Sequence, residues 1–278
     1  MPIPTSKKFS KCLILSFLML LIGCTKTVTE VETLPPTTAT LAEAATTTTI
    51  APGAAEALAY FDAFAEDSGI GFKRMSTLSE SLSPAWSYAY HQERLSIANT
   101  QDGYATSESK TEIVGEEIVL CNGINCASDT NYSDFIFSDD LLQSFSIDGR
   151  KLDDLVEVWP FSEQHDCVAI KPNPCDSDKS IDIYFRSFYR TARNDVFVSF
   201  DWIRGASSDG SLRSKSAFLE VDGVRYESSG ESTPVPDVGK FNVGYFSFSN
   251  PPSGAAKIFF SLSWWGETFE FVFDIGRI

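Results

Sequence analysis

The sequence has few of the residues that catalytic and metal-binding sites use most. Only two of its 278 residues are histidine, and six are cysteine. It contains no G-x-S-x-G nucleophile elbow, no P-loop and no G-x-G-x-x-G phosphate-binding pattern. These absences predict a protein that is not an enzyme and that has no cofactor. A hydrolase with an unrecognised site stays open, because a pair of catalytic carboxylates is a spatial arrangement that spacing does not reveal.

Basic residues are also scarce. The chain has 22 lysines and arginines against 38 aspartates and glutamates, which gives a formal net charge of −16. Binding to phosphate backbones needs a basic surface. The composition therefore excludes a nucleic-acid partner and predicts an acidic, solvated surface.

The first 23 residues have the pattern of a bacterial signal peptide. Lys7, Lys8 and Lys11 precede an apolar run over residues 12–22, which is shorter than the roughly 20 residues that span a bilayer. The run ends in Leu21-Ile22-Gly23-Cys24, which resembles the lipobox of bacterial lipoproteins. That resemblance implies cleavage before Cys24 and a lipid on its thiol. We therefore expect a protein anchored in the cell membrane through acylated Cys24, facing the extracytoplasmic side.

Residues 24–55 are predicted to be a tether. Eleven of residues 25–49 are threonine, and three prolines interrupt the segment, which is poor in large apolar residues. Such a composition cannot bury enough apolar surface to offset the entropy of ordering. The sequence leaves glycosylation of these threonines open.

Four cysteines remain in the folded part: Cys121, Cys126, Cys167 and Cys175. An even number in an oxidising compartment predicts two disulfides, with three possible connectivities. The short spacings favour Cys121–Cys126 and Cys167–Cys175. A zinc site is disfavoured, because the spacings do not match C-x2-C pairs and histidines are few.

Residues 56–160 are predicted to form two helices followed by a small antiparallel sheet. The first helix covers 56–66, with Gly69 and Gly71 ending it. The second covers about 84–101, with Ser83 as N-cap and Pro84 in the first turn. Strands are expected at 117–121, 132–137, 145–147 and 155–159, with Asp148-Gly149 as a hairpin turn.

After a connector over 161–180 that the second disulfide would close, residues 181–278 are predicted to be nearly all strand. Apolar residues alternate over segments such as 196–202 and 269–275, and Gly, Pro and Ser turns separate the segments. About seven short strands in about 100 residues favour a two-sheet sandwich with an aromatic core. The predicted fold class is mainly β, with an α+β N-terminal part.

The strand motifs over 180–278 carry a resemblance to a known group. The segments 197–202, 221–226, 246–248 and 269–275 resemble the immunoglobulin-like domains of unknown function found on many Gram-positive, especially actinobacterial, lipoproteins. Residues 83–150 look like the domain that precedes such sandwiches in actinobacterial envelope proteins. The resemblance implies a C-terminal antiparallel immunoglobulin-like sandwich and an envelope location, and it assigns no functional residue.

Three classes of function follow as alternatives. The favoured one is a non-catalytic binding module for an extracellular protein, a glycan or a small ligand. The second is a calcium-stabilised structural module, for which Asp139-Asp140 and Asp176-Ser177-Asp178 would supply oxygen ligands. The third is the hydrolase, for which His91 and His165-Asp166 are the available bases. We expect His91 to lie on the surface of the second helix.

Overall fold

Three helices begin the part of the chain that the computed structural model describes. The described residues are 53–104, 109–122, 128–158, 165–169, 175, 178–208 and 210–278, and they belong to one compact unit. The predicted signal peptide, Cys24 and nearly all of the predicted tether lie outside these residues. The described part is mainly β with several antiparallel sheets, as predicted, and it has three helices where two were predicted.

The helices are α1 (Ala54–Ala65), α2 (Gly69–Thr77) and α3 (Pro84–Gln101). The predicted bounds of the last helix are confirmed: Ser83 Oγ accepts a hydrogen bond from the Trp86 N–H at 3.2 Å and caps it.

Helix α2 was not predicted, because its two glycines look like helix terminators. Gly71 instead permits a close approach between helices. A Cβ at Gly71 would lie 2.3 Å from the carbonyl oxygen of Ala63 in α1. Ser68 starts α2 by accepting a hydrogen bond from the Gly71 N–H at 3.0 Å.

Sheet A is an antiparallel meander of five strands in sequence order. Its strands are β1 (Ser109–Val114), β2 (Glu117–Asn122), β3 (Ser128–Ser138), β4 (Leu141–Ile147) and β5 (Arg150–Lys151). The predicted Asp148-Gly149 turn is confirmed: it joins β4 to β5, and both residues have positive φ. Phe61 of α1 packs its ring against Tyr132 and Phe145, which forms an aromatic core between the helices and this sheet.

Two further sheets share a second core. Sheet B has the order β12-β13-β9-β8-β6, with β7 also paired to β8, and sheet C has the order β11-β10-β14-β15. These strands are β6 (Val156–Val158), β7 (His165–Ala169), β8 (Ser180–Arg190), β9 (Val196–Arg204), β10 (Leu212–Val221), β11 (Val224–Glu227), β12 (Gly230–Ser232), β13 (Phe241–Phe248), β14 (Ala255–Trp264) and β15 (Glu267–Arg277). The predicted strand over 155–159 therefore pairs with β8 and joins sheet B.

The second core consists of the inward-facing residues of sheets B and C. Four phenylalanine rings pack there against one another or against their neighbours: Phe185, Phe200, Phe246 and Phe260. Trp202 is fully buried beside them. The expectation that the aromatic residues of this half form its core is confirmed for these residues, whereas Phe218 and Phe259 lie outside that core.

The two sheets differ in what lies on their outer faces. Helix α3 packs on the outer face of sheet B, where Tyr245 donates to Asn99 at 3.1 Å and the Val243 N–H donates to Gln101 at 2.9 Å. Among the described residues, the outer face of sheet C is left to solvent, and alternate residues of β15 are exposed.

Candidate functional site

A cleft opens between sheet A and the hairpin that joins β8 to β9. Its volume is about 350 Å³, at the lower end of the range for small-molecule sites. Its walls combine aromatic rings, carboxylates and one arginine. The lining residues that matter chemically are Tyr88, Tyr132, Tyr189, Asp129, Asp148 and Asp195, with Arg193 at the hairpin.

Three tyrosines form the buried side of this cleft. The hydroxyls of Tyr88 and Tyr132 lie 3.4 Å apart, and the rings of Tyr88 and Tyr189 meet edge to face with centroids 5.4 Å apart. Burial raises the pKa of all three phenols above the ordinary value, and the nearby Asp148 carboxylate raises each pKa further. The three phenols are therefore neutral at physiological pH and line the buried side of the cleft.

The carboxylates come from three separate segments, and backbone hydrogen bonds hold two of them. Asp148 accepts from the Asn131 N–H at 3.0 Å, and Asp195 accepts from the Asn250 N–H at 3.2 Å. Asp129 extends from β3 at the exposed side. The cleft is thus lined by more negative than positive charge.

A buried polar network lies between α3 and sheet B. His91 Nδ1 is 2.6 Å from Ser187 Oγ on β8, and that oxygen is 2.5 Å from Ser199 Oγ on β9. All three residues are fully buried. The expectation that His91 lies on the surface was therefore wrong. Sheet B covers α3 on one side, and the aromatic core between the helices and sheet A covers it on the other. The face of α3 toward sheet B is therefore buried, although it is polar.

Burial, with a smaller contribution from the charge of Arg94, lowers the pKa of His91 from its usual 6.5 to about 3. The imidazole is therefore neutral at physiological pH. The serine–histidine pair has the spacing of a nucleophile and its base. Both side chains are enclosed beneath α3, so this pair fastens the helix to the sheet.

Next to this network, Asp201 of β9 forms ion pairs with Arg94 of α3 and Arg186 of β8. The Arg186 Nε to Asp201 Oδ2 distance is 2.8 Å, and all three side chains are nearly buried. Removing one member of such a cluster leaves uncompensated charge, which is strongly unfavourable.

The solvent-facing side of sheet C carries an aromatic stack. The rings of Phe218 and Phe259 lie 4.3 Å apart and 7° from parallel. The guanidinium carbon of Arg225 lies 3.7 Å from the Phe218 ring centroid, and Glu227 binds the same guanidinium. Phe218 is thus covered on both faces, whereas Phe259 ends the stack on the side of β15.

A groove of about 320 Å³ lies beside this stack. Ser216, Ser261 and Glu270 line it together with the two phenylalanines, and the two serine hydroxyls are 2.8 Å apart. The groove therefore places aromatic rings next to hydroxyl groups and an exposed carboxylate.

The predicted cysteine pairs are partly described. Cys167 of β7 and Cys175 lie at disulfide distance, with Cα atoms 5.9 Å apart, in agreement with the favoured pairing. Cys121 lies at the end of β2, and Cys126 is outside the described residues. The Cys121–Cys126 bond and the lipid on Cys24 stay predictions.

The other predicted candidates are dispersed. His165 belongs to β7, where the Asp166 carboxylate accepts from the Cys167 N–H at 2.8 Å. Asp139 and Asp140 form the turn between β3 and β4, and Asp176 lies outside the described residues. Within the described ranges, no group of three or more His, Cys, Asp or Glu is placed to hold a metal ion.

Sequence patterns do not identify the residues that line the cleft or the groove. Tyr132 and Tyr189 have the pattern of core residues, and Asp148 was interpreted only as a turn residue. Pairs such as Phe218 and Phe259 become neighbours through the register of β10 and β14, which no local signal specifies.

None of the helices in the described part of the chain is long and apolar enough to cross a membrane. Comparison with protein-family models, with curated proteins and with solved structures finds no match for this chain.

Proposed function

We propose that this chain is a lipid-anchored, extracytoplasmic binding module that is not an enzyme. The support for the anchor is the charged segment, the short apolar run and the Leu21–Cys24 motif of the sequence. The acidic folded part would then stand outside the membrane on the threonine-rich segment.

We further propose that sheets B and C form an immunoglobulin-like sandwich. What supports this is the strand order. The order β12-β13-β9-β8 corresponds to D-E-B-A of immunoglobulin domains, and β11-β10-β14-β15 corresponds to C′-C-F-G. The chain crosses between the sheets after β9, β11 and β13, as this correspondence requires.

The observation that carries the binding function is the uncovered outer face of sheet C. Helix α3 covers sheet B, but the Phe218–Phe259 stack faces solvent beside the groove. Ordering two phenylalanines on an exposed face contributes little to the core. Aromatic groups on an exposed surface are a common feature of binding sites.

The occupant that fits this groove best is a glycan. A sugar ring has an apolar C–H face, which suits the end of the stack at Phe259, and a rim of hydroxyls, which suits Ser216, Ser261 and Glu270. A protein partner fits less well, because the cores of protein interfaces are depleted in charge. Charged residues surround this small aromatic centre on neighbouring strands: Glu220, Arg225, Glu227, Lys257, Glu270 and Asp274.

The test is affinity electrophoresis of the detergent-solubilised full chain in gels containing a soluble β-glucan or solubilised peptidoglycan. We expect retardation of the wild type and at least about tenfold weaker binding by Phe259→Ala, because that variant removes the stacking surface. The matched control is Phe241→Ala, which removes an exposed phenylalanine from sheet B. Equal retardation of Phe259→Ala, or no retardation of the wild type, would show that the face does not bind glycans.

The anchor has a separate test. The intact mass of the membrane-extracted protein should match residues 24–278 with a diacylglyceryl or triacylated Cys24. Reduction should add four hydrogens if both disulfides are present. A mass that retains residues 1–23 would remove the basis for the proposed location.

A further inference from the structure

We propose that the cleft between sheet A and the β8–β9 hairpin binds a small organic cation, a protonated aliphatic amine. This site is on the opposite side of sheet B from the groove on sheet C. The proposal therefore does not depend on glycan binding, and either one can fail alone.

The charge of the residues that line the cleft favours a cationic ligand. Asp129, Asp148 and Asp195 line the cleft, and among the described lining residues Arg193 is the only cation. Arg193 is exposed at the hairpin, whereas Asp129 and Asp148 come from sheet A and Asp195 from the hairpin. The guanidinium of Arg150 lies beside the cleft, where it donates to Thr191 O and Asn194 Oδ1 of the hairpin. The whole chain is acidic as well, which raises the local concentration of cations and disfavours anions.

The second argument is the aromatic lining. Tyr88, Tyr132 and Tyr189 line the cleft with Phe64 and Phe197. An aromatic face attracts a cation through the ring quadrupole, and enclosure strengthens that attraction because less water competes. Phenol oxygens and carboxylates also accept the hydrogen bonds that an ammonium group must donate.

The third argument distinguishes an amine from a metal ion. A metal needs several ligands converging at 2 to 3 Å, and no such group exists among the described residues. A volume of about 350 Å³ suits a chain of several carbon and nitrogen atoms. Separated carboxylates along an aromatic wall match a diamine better than a point charge.

The fourth argument is that part of the site is held in place without a ligand. The Asn131 N–H fixes Asp148, and the Asn250 N–H fixes Asp195. The Tyr88 and Tyr132 hydroxyls are already within reach of each other. A preformed site loses less entropy on binding than one that must be assembled.

The experiment is isothermal titration of the detergent-solubilised full chain with putrescine. The isosteric neutral probe is 1,4-butanediol, and MgCl₂ at equal ionic strength tests for simple charge screening. We expect saturable binding of putrescine, none of butanediol, and at most weak competition by Mg²⁺. Absence of putrescine binding, or equal binding of the diol, would overturn the proposal.

The key variant is Asp148→Asn, which removes the charge and keeps the oxygen that accepts from the Asn131 N–H. Asparagine also tolerates the positive φ of this turn residue. We expect at least tenfold weaker putrescine binding. The matched control is Asp222→Asn in the equivalent Asp222-Gly223 turn, which has the same φ sign and whose carboxylate accepts from the Ala255 N–H at 3.1 Å.

Asp222→Asn removes one negative charge, as Asp148→Asn does, but it lies away from the cleft, so its affinity for putrescine should stay within about twofold of the wild type. If Asp148→Asn does not fold, Asp129→Asn at the exposed side of the cleft replaces it as the test variant. We expect its affinity for putrescine to be several-fold weaker than that of the wild type. Unchanged affinity in the folded cleft variant, or the same loss in Asp222→Asn, would show that the cleft is not the site.

Discussion

The buried imidazole of His91 makes the stability of this protein sensitive to acid. The ring lies beneath α3 with its Nδ1 2.6 Å from Ser187 Oγ, and its pKa falls from 6.5 to about 3. The largest cause is burial, which disfavours the charged form, and the positive charge of Arg94 adds to it. Protonating His91 in the folded protein would place a second buried cation beside that arginine.

The sign of the effect follows from proton uptake. Between pH 6.5 and about 3 the unfolded chain binds a proton at His91 that the folded chain does not. This contribution to stability is therefore present above pH 6.5 and is lost as the pH falls toward 3. At 1.36 kcal/mol per pKa unit, lowering the pH from 7 to 4.5 should cost about 2 to 3 kcal/mol, and the complete effect is about 5 kcal/mol.

The assay is urea unfolding of the wild type and His91→Asn at several pH values from 7 to 4.5. Asparagine retains a polar group near the position of Nδ1 but does not titrate, so other groups contribute equally to both proteins. Any cost of the smaller side chain is independent of pH. The difference in unfolding free energy should change by about 2 to 3 kcal/mol across this range. Parallel stability curves would refute the reasoning.

Two further predictions concern packing and charge, and both are measured as changes in the urea unfolding free energy at pH 7. Asp201→Asn should destabilise the fold by about 3 to 5 kcal/mol, because it leaves two nearly buried arginines without their shared carboxylate. Glu66→Gln breaks an exposed ion pair and should cost less than about 1 kcal/mol, so equal costs would contradict the burial argument. Gly71→Ala should cost about 1 to 3 kcal/mol, because its Cβ meets a backbone oxygen, whereas nothing lies within 4 Å of a Cβ at Gly69. Gly69→Ala should therefore be neutral or stabilising, and a larger cost there would be evidence against the packing argument.

The sequence predicts those helix ends and turns that are specified by capping and turn residues within the same segment. Ser83 and Pro84 define the start of α3, and Asp148-Gly149 and Asp222-Gly223 define two turns. Helix α2 was not predicted because its glycines were interpreted as helix terminators. A glycine also occurs where two helices approach closely. Gly71 has that role, but the backbone of α1 that it meets lies at a position the sequence does not reveal.

The face of α3 that would be buried was also not predictable from its pattern. Helical spacing places Trp86 and Tyr90 on one side of α3, and their rings stack on each other and are only half-buried. The fully buried positions include His91, whose partner Ser187 lies on β8 and is itself bonded to Ser199 of β9. A helix enclosed on two sides has no single apolar stripe, so amphipathic spacing does not identify its contacts.

The same ambiguity explains why the proposed binding surfaces could be identified only from the tertiary structure. Alternation of polar and apolar residues along β9 predicts one core face and one solvent face. Ser199 and Asp201 lie on the apparent solvent face, but α3 covers them. Ser199 bonds to Ser187 of β8, and Asp201 pairs with Arg94 of α3. On β10 and β14 the corresponding face carries Phe218 and Phe259, and in the described part of the chain no element covers it. The polar outer face of sheet B is therefore covered by α3, whereas the outer face of sheet C, with its aromatic pair, is left to solvent.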